Sequence, residues 1–224
     1  MKISGILSIA ACCIGLFACQ SEPAKNASNT PAQTEQAPPP VAKKNIVFFG
    51  NSLTAAYQLS PEQGFTAIIQ RRIDSLKLPY VCVNAGLSGE TTADGVNRVD
   101  WVLQQSVDIF VLELGGNDAL RGLPATESKK NLQAILDKVK TKYPECKMVV
   151  AGMLAPPNLG PAYTNAFRDM YPAVAKQSGA TLIPFLLENV GGIPSLNLPD
   201  GIHPNPEGQK IVAENVWKTL SRIL

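Results

Sequence analysis

The chain has 224 residues, 45% of them apolar, and a formal net charge of +2. That is enough apolar material for one sizeable core, with no need for a second domain. The charge is too small and too scattered for a nucleic-acid surface, and no basic stripe with interleaved aromatics is present.

At the N-terminus Lys2 precedes an apolar run over residues 3–16, which is short for a bilayer span and matches the core of a signal peptide. The run closes on Leu16-Phe17-Ala18-Cys19, which resembles a bacterial lipoprotein cleavage box. That resemblance implies removal of residues 1–18 and lipidation of Cys19; a plain secretory signal cut nearby is the alternative. Residues 19–44 then form a Pro-, Ala-, Ser-, Thr-, Asn- and Gln-rich stretch with no apolar period. Such a stretch cannot bury enough surface to offset its ordering entropy, so it reads as a disordered tether to a domain over 45–224. The expected setting is the bacterial cell envelope, with the lipid anchor as the membrane contact.

Of the five cysteines, Cys12 and Cys13 fall in the leader and Cys19 is the lipidation candidate. Cys82 and Cys146 remain, too few for a disulfide framework or a zinc cluster; Cys82 reads as a small buried hydrophobe.

From residue 45 the pattern alternates. Continuous apolar, β-branched runs at 46–49, 80–83, 109–114, 148–151 and 181–183 have the character of parallel strands covered on both faces. Between them, Phe65, Ile68, Ile69, Ile73 and Leu76 fall at helical spacing, as do Leu132, Ile135, Leu136 and Val139. Weaker stripes run through Val96, Val99 and Leu103 and through Phe167, Met170 and Val174. A last helix opens with Asn205 as N-cap and Pro206 at its first position, carrying Val212, Val216, Leu220 and Ile223. Trp101 and Trp217 fall on helices and read as packing residues. The expected fold is α/β, a three-layer α/β/α sandwich on a five-stranded parallel sheet.

In such a sheet, function gathers at the carboxyl ends of the strands. Those ends carry Gly50-Asn51-Ser52, then residues 84–89 with Gly89, then Gly115-Gly116-Asn117-Asp118, then Pro156-Pro157, with Asp200 and His203 after the fifth strand. Serine needs a base to become a nucleophile, and His203 is the only histidine in the chain. Asp200, three residues earlier, can orient the ring from the same turn. The backbone N–H groups of Ser52 and Gly89 and the amide of Asn117 are candidate oxyanion donors. Taken singly, Ser52 also reads as a strand-end cap, the segment around Asn117 as a turn, and Asp200-x-x-His203 as a helix cap. One histidine and no paired carboxylates at ligand spacing argue against a metal, and no P-loop follows Gly86. Glu113 and Asp118 read as anchors beside the site, and no cofactor is expected.

The four segments Gly50-Asn51-Ser52-Leu53-Thr54, Ser88-Gly89-Glu90-Thr91-Thr92, Gly115-Gly116-Asn117-Asp118 and Asp200-Gly201-Ile202-His203-Pro204 resemble, in order, the blocks of SGNH (GDSL-type) hydrolases. Residues 113–122 resemble especially the bacterial thioesterase/lysophospholipase/arylesterase branch. The resemblance implies a flavodoxin-like sheet, Ser52 as nucleophile, His203 as base, Asp200 as its orienter, and Ser52, Gly89 and Asn117 around the oxyanion. Asn51 stands where that family usually has aspartate, a position outside the triad.

The reading is a serine esterase acting on small carboxylic esters or thioesters through an acyl-serine intermediate. Leu120, Leu123, Pro156 and Pro157 are the expected acyl-contacting residues. Two alternatives stand beside it: a carbohydrate O-acetyl esterase of the same fold, and a non-catalytic binding domain on a lipoprotein tether.

Overall fold

The computed structural model describes residues 42–224, so the leader, Cys19 and nearly all of the expected tether lie outside the described residues. Five parallel strands form one sheet: β1 (Lys44–Gly50), β2 (Tyr80–Gly86), β3 (Ile109–Glu113), β4 (Lys147–Ala151) and β5 (Thr181–Ile183). Their order is β2-β1-β3-β4-β5. The helices are α1 (Phe65–Ser75), α2 (Thr92–Val102), α3 (Gly116–Leu120), α4 (Ala125–Lys142), α5 (Pro161–Ser178) and α6 (Pro206–Leu220). α1 packs on α6, while α4 packs on both α2 and α5, which gives the expected three layers.

The central strands are buried because helices cover both faces. Ile46, Val47, Phe48 and Phe49 of β1, and every residue of β3 from Ile109 to Glu113, are buried. Phe49 stacks on Phe110 of the neighbouring strand at 5.5 Å between ring centroids, and Phe48 meets Phe65 of α1 edge-on at 5.7 Å. Such burial on both sides leaves no polar face to alternate with, hence the continuous apolar runs.

Some details depart from expectation. Asp118 lies in the short helix α3 rather than in a turn, and α4 begins at Ala125, well before Leu132. Trp101 is not a packing residue: it is 70% exposed, because Val99 and Val102 form the buried side of α2. Cys82 is only partly buried, although enough to push its thiol up to about 12, aided by nearby Asp74. The expected cap of α6 is present, with Asn205 Oδ1 accepting from the N–H groups of Glu207 and Gly208 at 3.0 Å each.

The order β2-β1-β3 makes the chain leave β1 in one direction and return to pair with its other side. That reversal opens a crevice at the carboxyl ends of β1 and β3. Gly86 lets the end of β2 approach the turn after β1: a Cβ there would lie 2.3 Å from Ala55 N and 2.8 Å from Ala55 Cα. These are backbone atoms and cannot rotate away. We expect Gly86→Ala to cost about 3 kcal/mol in urea unfolding, the upper part of the overpacking range. A loss below about 0.5 kcal/mol would show that the turn shifts freely.

Candidate active site

Three strand ends and one late loop meet in a cleft of about 380 Å³, lined by Ser52, Tyr57, Gly89, Asn117, Leu120 and His203 among others. Ser52 follows β1 in a run of turns, where Ala55 N–H donates to Asn51 O and Tyr57 N–H to Ser52 O, both at 3.0 Å. A cavity of about 450 Å³ at the opposite strand ends, bordered by Lys44, Asp108 and Lys147, contains no comparable serine–base pair.

The turn carrying Ser52 is held from beneath. Glu113, at the end of β3, accepts from Asn51 N–H at 3.1 Å and from Thr54 Oγ1 at 2.8 Å, both through Oε2. Asn51 in turn accepts the Leu53 N–H at 3.0 Å through Oδ1. Asp118 plays the corresponding part for α3, accepting from Thr92 N–H at 2.9 Å, from Thr92 Oγ1, and from Ser128 Oγ at 2.9 Å. Both residues anchor the site's backbone, as their positions in the sequence imply.

Glu113 is fully buried, and burial pushes its carboxyl up to about 7 despite the donors from Thr54 and Asn51. The folded chain therefore holds a proton there that the unfolded chain, ordinary at 4.5, has released. The stability this proton confers is complete below about pH 4.5 and disappears as pH rises through about 7. We expect urea unfolding to show a fall on the order of 2–3 kcal/mol between pH 5 and pH 8 from this group, and Glu113→Gln to flatten it. An equal slope in Glu113→Gln would assign the fall elsewhere.

His203 arrives from a loop closed by the Asn197–Pro204 bridge, with Leu198 N–H donating to His203 O at 2.7 Å. Within the loop, Asp200 Oδ1 accepts the N–H groups of Ile202 and His203 at 2.9 and 3.0 Å, and Oδ2 lies 2.7 Å from His203 Nδ1. Desolvation opposes ionisation of Asp200, but the hydrogen bonds from His203 and Ile202 outweigh it and hold the carboxyl down to about 2. An ionised Asp200 only accepts, so the ring proton sits on Nδ1 and the Nε2 lone pair faces outward. That lone pair lies 2.8 Å from Ser52 Oγ, across 151 residues of sequence. The alternative acceptor for the serine proton, Asn51 Oδ1, is farther at 3.5 Å. Tyr57 packs its ring on that of His203, centroids 4.5 Å apart.

Opposite the serine stand Gly89 and Asn117. Among the described residues the N–H groups of Ser52 and Gly89 have no protein acceptor. Asn117 Nδ2 uses one proton on Glu90 O at 2.9 Å and retains a second. Gly89 has φ +84°, a left-handed conformation that costs glycine little and other residues more. Chemically, the cleft pairs an activatable hydroxyl with donors for negative charge.

Of the four expected acyl-contacting residues, Leu120 lines this cleft. Leu123, Pro156 and Pro157 do not border it; Pro157 faces a separate depression with Leu154 and Arg168. Tyr57, Leu53 and Ile202 complete the apolar lining. Ile202 carried a signal, lying between the two polar triad candidates, whereas Tyr57 is brought in by the backbone of the turn after β1, where Ala56 and Gln58 on either side have positive φ.

Residues 48–211 match the model of the GDSL-like lipase/acylhydrolase family. Esterase TesA of Pseudomonas aeruginosa is 39% identical over 184 residues, 82% of this chain and 90% of that protein. The Escherichia coli protein named thioesterase 1/protease 1/lysophospholipase L1 is 34% identical over the same length, covering 86% of it. The crystal structure of TesA superposes with a TM-score of 0.77 at 38% identity, over 81% of this chain and all of that one.

Proposed function

The chain belongs to the GDSL-like lipase/acylhydrolase family and is a serine ester hydrolase, and we propose that Ser52, His203 and Asp200 are its nucleophile, base and orienting carboxylate. The observation that supports this most is the unbroken Asp200–His203–Ser52 relay, 2.7 and 2.8 Å, opening on a cleft with three donors.

The steps follow from the geometry. Ser52 Oγ attacks the acyl carbon while its proton passes to His203 Nε2, and Asp200 stabilises the imidazolium. Charge on the former carbonyl oxygen is met by the N–H groups of Ser52 and Gly89 and by Asn117 Nδ2. When the C–O or C–S bond breaks, the leaving alcohol or thiol takes the proton from Nε2. Water then enters against the acyl-serine, His203 takes one of its protons, and the acid departs with Ser52 Oγ reprotonated. Only a ring with a free Nε2 lone pair serves as base, and Asp200, held down to about 2, stays ionised to orient it.

The acyl group is proposed to lie on Leu120, Leu53, Tyr57 and Ile202, an apolar open wall suited to short and medium chains. A series of para-nitrophenyl esters from acetyl to decanoyl, with acetylated xylan and a lysophospholipid beside it, tests this. Activity should hold through hexanoyl; a steep preference for acetyl would favour a deacetylase. Leu120→Ala should lower kcat/KM for the hexanoyl ester about fivefold, as expected for losing ~1 kcal/mol of apolar contact, and leave the acetyl ester unchanged. Equal effects on both esters would remove Leu120 from the acyl wall.

We also propose that the enzyme works in the cell envelope, tethered through a lipid on Cys19. The support is the sequence of residues 1–19; no helix among the described residues is long and apolar enough to cross a membrane. Palmitate labelling in cells should mark the wild type and spare Cys19→Ser, and labelling of both would overturn the anchor.

A further inference from the structure

Two of the three proposed oxyanion donors depend on one short segment, residues 87–90, and its hold on the rest of the fold is unusual. Gly89 has no side chain, and a Cβ there would touch nothing within 4 Å. Its N–H therefore cannot be aimed by packing at Gly89 itself. The aim must come from its neighbours.

Glu90 is the neighbour that is fixed. Its side chain is 1% exposed, and both carboxylate oxygens accept from Arg98 of α2, one from Nε and the other from Nη2. Arg98 is itself fixed twice more: Nη2 donates to Ala85 O of β2 at 2.9 Å, and its guanidinium lies 4.2 Å over the ring of Phe49 in β1. Glu90 O accepts from Asn117 Nδ2 at 2.9 Å. Through one residue, then, the side-chain donor Asn117 and the backbone donor Gly89 are registered against α2, β1 and β2. Arg121 adds a bond to Gly89 O at 2.9 Å, but from an exposed side chain, which makes it the weaker tie.

We infer that the Arg98–Glu90 ion pair is the positioning element of the oxyanion hole, acting on the reaction through Gly89 and Asn117 without touching substrate. The inference rests on the oxyanion assignment proposed above. A carboxylate this buried is tolerable only with both oxygens paired. Guanidinium supplies the planar two-pronged donor that a lysine ammonium cannot. Misaimed donors would hurt the transition state, where the oxyanion exists, far more than the bound ester.

Arg98→Lys keeps the charge and removes the fork. It should lower kcat about tenfold or more with KM within about twofold, the split expected of an interaction made only in the transition state. Combined with Asn117→Ala it should be no more than about threefold slower than Asn117→Ala alone, since both act on one feature. Should Arg98→Lys fail to fold, Glu90→Gln, which keeps the shape and loses one acceptor, should show the same split and the same non-additivity. A kcat within about twofold of wild type in the folded variant, or losses that multiply with those of Asn117→Ala, would overturn the inference. A slow Asn117→Ala beside a normal Arg98→Lys sinks this inference alone. Normal turnover by Asn117→Ala removes the oxyanion assignment and the inference with it.

Discussion

Ser52→Ala should fold normally, lose covalent labelling by a fluorophosphonate, and lose on the order of 10⁴- to 10⁶-fold in turnover, the range seen when the nucleophile of such a triad is removed. The fold should survive because nothing in the turn hangs on the hydroxyl. The backbone around it is tied by Asn51 N–H and Thr54 Oγ1 to Glu113 and by Leu53 N–H to Asn51. Ser52 Oγ makes one short bond, to His203, and that bond is the one proposed to carry the chemistry. His203→Ala should fall as far, since the chain has no second histidine to stand in. The pair Ser52→Ala/His203→Ala should lose no more than either alone, because the residues act as a unit. Circular dichroism and urea unfolding establish that the variants fold; titration with the fluorophosphonate counts active sites. Labelling of purified Ser52→Ala at the wild-type rate would place the nucleophile elsewhere.

The proposed triad could be assembled before any coordinates because Asp200 and His203 are neighbours in sequence and because glycine and polar residues punctuate the ends of β1, β2 and β3. The strands were equally plain: a parallel strand covered on both faces writes itself as a continuous apolar run. Their ends were not. Lys44, Asn45 and Gly50 belong to β1, and Asn84 and Gly86 to β2, through backbone pairing such as Phe48 with Asn84 and Gly50 with Gly86, which asks nothing of the side chains. α3 escaped notice because five residues are too few to show a helical period, and only Asp118 and Ala119 of them are buried. The first turns of α4 were missed because their buried positions, Ala125 and Ser128, do not read as an apolar stripe. Trp101 misled in the opposite sense, since a large aromatic on a helix does not by itself indicate which side faces the core. The Arg98–Glu90 pair leaves no motif at all. It joins two residues eight apart whose partnership depends on where α2 sits over β1 and β2.

Asn117→Ala should lower kcat on the order of a hundredfold to a thousandfold, about 3–4 kcal/mol of lost transition-state stabilisation, with KM little changed. The side-chain amide has two protons and one protein acceptor, Glu90 O at 2.9 Å, which leaves the second proton for the oxyanion in the proposed mechanism. Removing the amide also frees Glu90 O, yet the segment stays tied by the Glu90 carboxylate on Arg98 and by Arg121 on Gly89 O. The loss should therefore be one of chemistry. Asn117→Asp sharpens the point. It keeps the size and turns the donor into a carboxylate facing the developing charge, so it should be slower still than Asn117→Ala. Both variants also lose the bond to Glu90 O, and that loss of bracing is read separately, as lowered stability in urea unfolding. Stopped-flow measurement of acylation with a para-nitrophenyl ester reads the chemistry, since the oxyanion forms in that step. If Asn117→Ala acylates within about twofold of the wild type, the oxyanion depends on Ser52 and Gly89 alone.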